Sequence, residues 1–501
     1  MLQSRVAGAL AVLALCAVAC SAGREPSRDE TLVVVYPAAT PWEEESVALN
    51  GNVLEPLVDL DANQQPQPAL ASNWYNPDDH TWVFELRPGL RRHDGQPVDA
   101  PQVVAALEQL RQKPGLAAAV FRPVESLRAI DAQRIELRTR RVYGPLVYQL
   151  MLAMPSFGGS RDQPLGTGPY RVESREPGRI TLVAAETASP RPAIRRVRFE
   201  VVKDGTERVR RLLSGEAHLA LDVPATESEA LRRSPGHRLV VRRGLRLLFL
   251  GFDCARASWL ESPGGPNPFR DARVRRAVAL AVDRQRLARE TLGGLATPCD
   301  QVVASEVFGY HTHLPRIPHD PAQARRLLAE AGWSQGFGVA LDFMPGKYRA
   351  IDAVLASVSS DLARVGVTVR PQPADPGLFF DRLARQETSL YLMGWMSSSG
   401  DAGITLEYLL HSPGPRYGVS NGSGFSDPAL DALLEQAASQ VEARQRLPLL
   451  QQAAELVHES LPVVPLYRQT DLYGVAEGLV FEPRLDRRVR GFDLRWGDAA
   501  R

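Results

Sequence analysis

Two periods govern the hydrophobic and polar positions of this chain, and they take turns along it. Over Thr81–Leu86 apolar and polar residues alternate, which puts Trp82, Phe84 and Leu86 on one face of a predicted strand. Upstream lie an apolar segment (Leu54, Leu57, Val58), a proline-rich excursion, an Ala69-Leu70-Ala71 patch closed by Trp74, and a turn at Asn76-Pro77-Asp78-Asp79. Downstream, Gly89 and Asp94-Gly95 supply turns, and Pro101 opens a helix that carries Val103, Val104 and Leu107. Helical spacing returns after Asp271, where Val274, Ala277, Val278, Ala281 and Val282 form one stripe behind an aspartate cap. In HDPAQARRLLAEAGW, Asp320 caps, Pro321 fills the first turn, Ala324, Leu327, Leu328 and Ala331 make the buried stripe, and Gly332 ends the helix.

From there strands and helices alternate. Strands are predicted over 339–343, 367–371 and 390–393, with helices over 351–365 and 378–386 between them and a loop at Gly394-Trp395. Asp427-Pro428 leads into Leu430, Leu433 and Leu434, a further amphipathic helix covers 447–461, and a strand over 463–467 closes the pattern. With earlier strands over 31–35 and 245–253, this order predicts an α/β protein.

The first thirty residues follow a different logic. Arg5, the apolar run over 6–18 and Ala17-Val18-Ala19-Cys20 read as an export signal over 1–19 with Cys20 as the lipidation site, and the run is too short for a membrane span. Cys16 is a poorer alternative. Residues 20–30 (CSAGREPSRDE) are polar and read as a flexible tether.

Composition narrows the field. A chain of 501 residues holds about three domains' worth of core, and 44% hydrophobic with 23% charged residues is ordinary globular composition. A formal charge of +1 argues against nucleic acid as a partner. Arginine supplies nearly all the cationic charge, since only Lys113, Lys203 and Lys347 are lysines. In an oxidising compartment Cys254 and Cys299 form a candidate disulfide, but bridging needs Cβ atoms within about 4.5 Å and sequence gives no distance, so both states stay open. Neither cysteine has a CxxC or CxxH neighbour, and no metal or cofactor is expected.

The ordered elements over 54–107 closely resemble family 5 of the bacterial extracytoplasmic solute-binding proteins, the peptide-type receptors of ABC importers. Gly166-Thr167-Gly168-Pro169-Tyr170, the segment LLSGEAHLALDVP, the apolar strand ending at Asp253 and the helix capped by Asp320 extend the resemblance over essentially the whole mature chain. The resemblance implies a bilobal periplasmic-binding-protein type II fold, two α/β lobes joined by a hinge. The first lobe would comprise 31–255, with an extra subdomain at about 55–165, completed by 475–501; the second would comprise 256–474. Crossovers are expected near 253–269, where Pro263-Gly264-Gly265-Pro266 marks a loop, and near 467–478. It further implies a monomeric receptor, held to the membrane by lipid on Cys20, that closes on a small peptide or related polar solute and presents it to an ABC permease and ATPase complex. No catalysis is expected. The alternatives are a nonpeptide ligand (metal chelate, haem-like compound or oligosaccharide) or an anchored sensor or interaction protein.

The resemblance also carries ligand-binding candidates. In the family's peptide receptors a GWxxDYxDP-like loop follows a strand, and its first aspartate pairs with the ligand ammonium group. Here Gly394 and Trp395 match, Ser398 replaces that aspartate, and Asp401 falls on the second one. A serine offers no charge to a buried ammonium, so either Asp401 takes over or the ligand has no free amine there. Trp395 is the leading candidate, as an aromatic platform that accepts varied side chains. Tyr36 and Trp42 after the first strand, Lys347 and Arg349 after the strand ending at Phe343, and Arg246 in an apolar strand complete the set; surface cations and aromatics of this kind are commonly just solvated or packed.

Three enzyme-like signals are weaker. Gly418-Val419-Ser420-Asn421-Gly422 matches GxSxG, yet a nucleophile elbow needs a strand before it and a helix after it. His311, His313 and His319 suggest a metal only if they converge. Glu43-Glu44-Glu45 reads as a solvated helix start.

Overall fold

A computed structural model describes residues 31–38, 41–113, 119–261 and 265–497. The predicted signal, the predicted lipidation site Cys20 and the predicted tether lie outside these residues. Among the described residues eleven strands make one mixed sheet: β1 (Leu32–Tyr36), β2 (Tyr170–Glu176), β3 (Arg179–Ala184), β4 (Arg196–Val201), β5 (Leu219–Leu221), β6 (His237–Phe252), β7 (Ala296–Pro298), β8 (Phe337–Phe343), β9 (Val367–Pro373), β10 (Leu390–Met396) and β11 (Val463–Ala476). Their spatial order is β9-β8-β10-β6-β11-β5-β1-β4-β3-β2, with β7 against β11.

The two longest strands, β6 with 16 residues and β11 with 14, run antiparallel through the middle of this order. Their upstream and downstream halves serve different lobes. Residues 237–243 of β6 pair with 470–476 of β11, which carries β5 and the first-lobe strands on its other side. After a bulge at 243–247, β6 pairs with 463–468 of β11 on one side and with β10 on the other. The cores divide accordingly. Leu32, Val34, Phe199 and Tyr473 share one, whereas Phe249, Phe252, Phe269 and Val339 share another. A third core, built on Trp82, Phe84, Leu107 and Leu137, fills the extra subdomain, where the helix Ala100–Gln112 covers a four-stranded antiparallel sheet.

Local sequence logic holds for most elements. Asp271 and Asp320 each cap the helix that follows by accepting a backbone N–H, from Arg273 at 2.8 Å and Gln323 at 2.8 Å. In Gly166-Thr167-Gly168 the glycines serve close approach rather than reversal. A Cβ on Gly166 would lie 1.8 Å from the Val53 carbonyl, and one on Gly168 would lie 2.4 Å from that of Asn52. β6 changes its pairing partners at the 243–247 bulge, ahead of the 253–269 stretch named as the first crossover, and Arg238, Arg242 and Arg243 break the apolar run over the strand's first half. The closing strand also runs on past Tyr467 to Ala476.

Cys254 and Cys299 are free thiols, which corrects the candidate disulfide. They are committed to separate places: Cys254 packs on the second-lobe core, and Cys299 joins a small cluster with Leu245 and Val303. Burial pushes the Cys254 thiol up to about 12 and raises that of Cys299 further. Among the described residues no helix is long and apolar enough to cross a membrane.

The C-terminal segment is fastened back to the subdomain strand Val58–Leu60. Asp59 accepts from Arg488 at 2.6 Å, and Asp486 bridges Arg484 at 2.7 Å and Arg488 at 2.8 Å, all with little exposure. Removing one partner strands a buried charge, at a cost of about 3–5 kcal/mol. Asp59→Ala should therefore lower the urea midpoint of unfolding by a corresponding amount, and an unchanged midpoint would deny the fastening its role.

Candidate functional site

The loop predicted to hold the ligand lies at the meeting of the lobes. In the β6–β10 ladder Gly394 faces Leu248, Trp395 faces Leu247 and Met396 faces Arg246, so the Gly-Trp pair and Arg246 lie beside the bulge. Gly394 is required by packing. Its N–H donates to Tyr348 Oη at 2.9 Å, and a Cβ there would sit 2.7 Å from the Tyr348 ring. Trp395 is half-buried, with its ring 6.5 Å from that of Tyr408. Ser398 is half-buried in the following turn.

Asp401 does not face a ligand. It is wholly buried, caps the helix Ala402–Leu410 through the Ile404 N–H at 3.4 Å, and lies 2.7 Å from Arg446 Nη2. The approach is oblique, so Coulomb attraction between two buried charges carries the pair. The Arg446 guanidinium lies in turn over the Phe308 ring at 5.4 Å. This corrects the reading of Asp401 as an amine anchor, because its carboxylate is spent on the protein itself. Tyr36 is corrected likewise: it is 1% exposed and meets Phe199 edge-on in the first-lobe core. Lys347 sits exposed in the turn after β8, and the side chain of Trp42 lies outside the described residues.

Arg246 and Arg349 do come together, at a buried charge cluster beside the bulge. Arg349 donates to the Thr470 carbonyl of β11 at 2.9 Å. Arg487 from the C-terminal segment bonds Asp222 and lies 3.5 Å from Asp471. Burial pushes the Asp471 carboxyl up, against the pull of Arg487, and pulls the Arg246 guanidinium down.

A cavity of about 640 Å³ opens between the subdomain and the second lobe, lined by Arg122, Arg140, Arg141 and Tyr143 on one side and by Glu407, Tyr408, Arg416 and Tyr417 on the other. Arg141 lies over the Tyr417 ring at 4.8 Å, and that ring stacks on His411 at 4.1 Å. Tyr143 Oη accepts from Gln149 Nε2 at 2.8 Å. Burial raises the Glu407 carboxyl to about 7, with Arg141 opposing. Trp395, through Tyr408, links the loop of the family pattern to this space. Sequence reasoning missed the arginines and Glu407; as single charges on segments far apart in the chain, they carry no motif.

The enzyme-like signals dissolve. Ser420 sits in a turn with its N–H bonded to the Tyr408 carbonyl at 2.9 Å, and no strand leads into it. His311 pairs with Glu455 at 2.9 Å and His319 with Asp283 at 3.6 Å. Among the described residues no three potential ligands converge on a metal. Glu45 of the acidic run is bound by Arg161 and Arg175, each at 2.6 Å.

The family described as bacterial extracellular solute-binding proteins, family 5, middle region, matches residues 65–416. The chain belongs to this family. It is 28% identical over 341 residues to heme-binding protein A of Haemophilus influenzae, covering 66% of this chain and 57% of that protein. To the glutathione-binding protein GsiB of Salmonella typhimurium it is 24% identical over 447 residues, 84% of each chain. Its fold matches HbpA2 of Haemophilus parasuis with a TM-score of 0.78 at 21% identity, over 93% of this chain and all of that one. The periplasmic binding protein DppA of Helicobacter pylori, solved with a peptide, matches with 0.76 at 20% identity over 94% and 98% of the two chains. The fold is the bilobal α/β fold of the periplasmic binding proteins.

Two outcomes test this geometry. Asp401→Asn leaves Arg446 buried without its counter-charge and should destabilise the fold by about 3–5 kcal/mol in urea unfolding. A carboxyl held at about 7 when folded and 4.5 when unfolded favours folding below pH 4.5, and that contribution is lost as pH rises to 7. Glu407→Gln should accordingly raise the midpoint relative to wild type at pH 8 and change it little at pH 4; the same effect at both pH values would place Glu407 in open solvent.

Proposed function

We propose that this chain is the extracytoplasmic receptor of an ABC importer, binding a small peptide or related polar solute between subdomain and second lobe and presenting the closed form to a membrane permease. The observation that carries this reading is the cavity of about 640 Å³, whose two walls come from the subdomain and the second lobe. Its size suits a small ligand, and walls from two bodies let one solute stabilise closure, because only the closed form gives it both sets of contacts. The hinge is the stretch where β6 and β11 change lobes, 243–247 and 468–470. Trp395 and Tyr408 supply an aromatic face, and no covalent step is involved.

Lipid on Cys20 would hold this receptor at the membrane, with residues 20–30 as the tether, and it would act as a monomer. A second reading, a nonpeptide solute, has a specific observation in its favour. Ser398 removes the carboxylate that family peptide receptors use for the ligand amine, and Asp401 is turned inward to Arg446. Relatives fit either, since their names specify heme and glutathione, and one solved neighbour holds a peptide.

Native mass spectrometry of the exported chain with Cys20→Ser, purified from its own host, tests the proposal. A bound solute is expected, with occupancy reduced at least tenfold by Trp395→Ala, a loss of about 1.4 kcal/mol. Protein that carries no solute, together with unchanged solute uptake in cells lacking the gene, would defeat it.

A further inference from the structure

The charges around the cavity are unevenly matched. Arg122 precedes one subdomain strand, Arg140 and Arg141 follow another, and Arg416 comes from the loop after the helix Ala402–Leu410, so three separate segments deliver guanidinium groups to one space. Among the described residues none of these four forms an ion pair; Arg141 lies over the Tyr417 ring, and Arg141 and Arg122 act on Glu407 through space. Arginines elsewhere on this surface find carboxylates readily, as Arg128 does with Glu136 at 2.6 Å and Arg196 with Glu173 at 2.6 Å. Opposite them stands one acidic side chain, Glu407, which likewise has no hydrogen-bond or ion-pair partner among the described residues.

Four arginines against a single carboxylate leave the lining net positive, with Arg122, Arg140 and Arg416 exposed at its edge and Arg141 half-buried. Neutral or cationic solutes are disfavoured there. A carboxylate matches the planar fork of an arginine with two parallel hydrogen bonds, and more than one is needed to balance the wall. Glu407 has the opposite requirement. A partly enclosed carboxylate gains most from a cation that replaces lost water; burial raises the proton affinity of Glu407, and Arg141 and Arg122 offset this only in part and without a hydrogen bond to it.

We infer that this cavity selects a small solute bearing at least two carboxylates and one free amine, with the arginines Arg122, Arg140, Arg141 and Arg416 holding the carboxylates and Glu407 holding the ammonium group. Glu407 thus takes the role that Ser398 has lost and that Asp401 cannot fill. The inference rests on the cavity being the solute site.

Isothermal titration calorimetry on the exported chain with Cys20→Ser, stripped of solute in denaturant and refolded, separates the two. The probes are L-Glu-L-Glu, L-Ala-L-Ala and N-acetyl-L-Glu-L-Glu. Wild type is expected to bind L-Glu-L-Glu at least tenfold more tightly than either of the others. Glu407→Gln should erase the preference for the free amine and keep the preference for added carboxylates, whereas Arg122→Gln with Arg141→Gln should do the opposite. Equal binding of the three probes by wild type, or no binding of L-Glu-L-Glu, overturns the solute class. In that case the cavity still stands as the site if the arginine double variant releases the solute copurified from the host. If wild type shows both preferences and neither variant changes them, the solute lies elsewhere and the cavity reading falls with the inference.

Discussion

The antiparallel ladder between β6 and β11 is the constraint on which the rest of the molecule depends. Both strands pass from one lobe to the other, so the spacing of subdomain and second lobe is set where the ladder shifts register. That shift is held by chemistry at close quarters. Arg468 bonds the Gly244 carbonyl, reaches the Arg243 carbonyl at 3.3 Å, and pairs with Glu306 of the second lobe at 2.7 Å. A Cβ on Gly244 would sit 2.3 Å from an Asp471 carboxylate oxygen, so only glycine lets the two strands approach there. Charge gathered at this point, from Asp222, Arg246, Arg349 and Arg487, belongs to several segments at once and so couples them.

Arginine does two kinds of work in this chain. Deep inside, its fork satisfies backbone carbonyls and carboxylates that a lysine could reach only singly. Arg208 donates to the carbonyls of Val202, Leu221 and Asp222, and Arg275 donates to those of Phe269 and Ser460. Arg446 and Arg488 anchor buried aspartates. Around the cavity Arg122, Arg140, Arg141 and Arg416 have no carboxylate partner among the described residues, and the proposed solute binding rests on that arrangement.

Much of the fold was legible beforehand because local rules and tertiary demand agree. The strand Thr81–Leu86 follows its alternation, and helices capped by Asp271 and Asp320 start where capping chemistry says they must. The first half of β6 was not legible, since its solvent-facing arginines mimic a loop. Site residues fared less well. Gly394 and Trp395 were proposed from the family loop and lie beside the bulge, and Arg246 and Arg349 both come near Asp222 and Asp471. The choice left open at Asp401 could not be made from sequence, which cannot show that Arg446, 45 residues later, would claim its carboxylate. Tyr36 obeys β1, whose side chains are buried on both faces. Glu407 and the cavity arginines became recognisable only when the subdomain and the second lobe were brought together.

Hydrogen–deuterium exchange, compared between the chain carrying its copurified solute and the same chain stripped of it, tests most directly where the solute binds. A solute in the cavity slows exchange over 119–123, 140–149 and 407–419 together, with smaller changes at 243–247 and 468–471 where the lobes pivot. Unchanged exchange in those cavity segments, with protection confined to one lobe, would contradict a site shared between subdomain and second lobe.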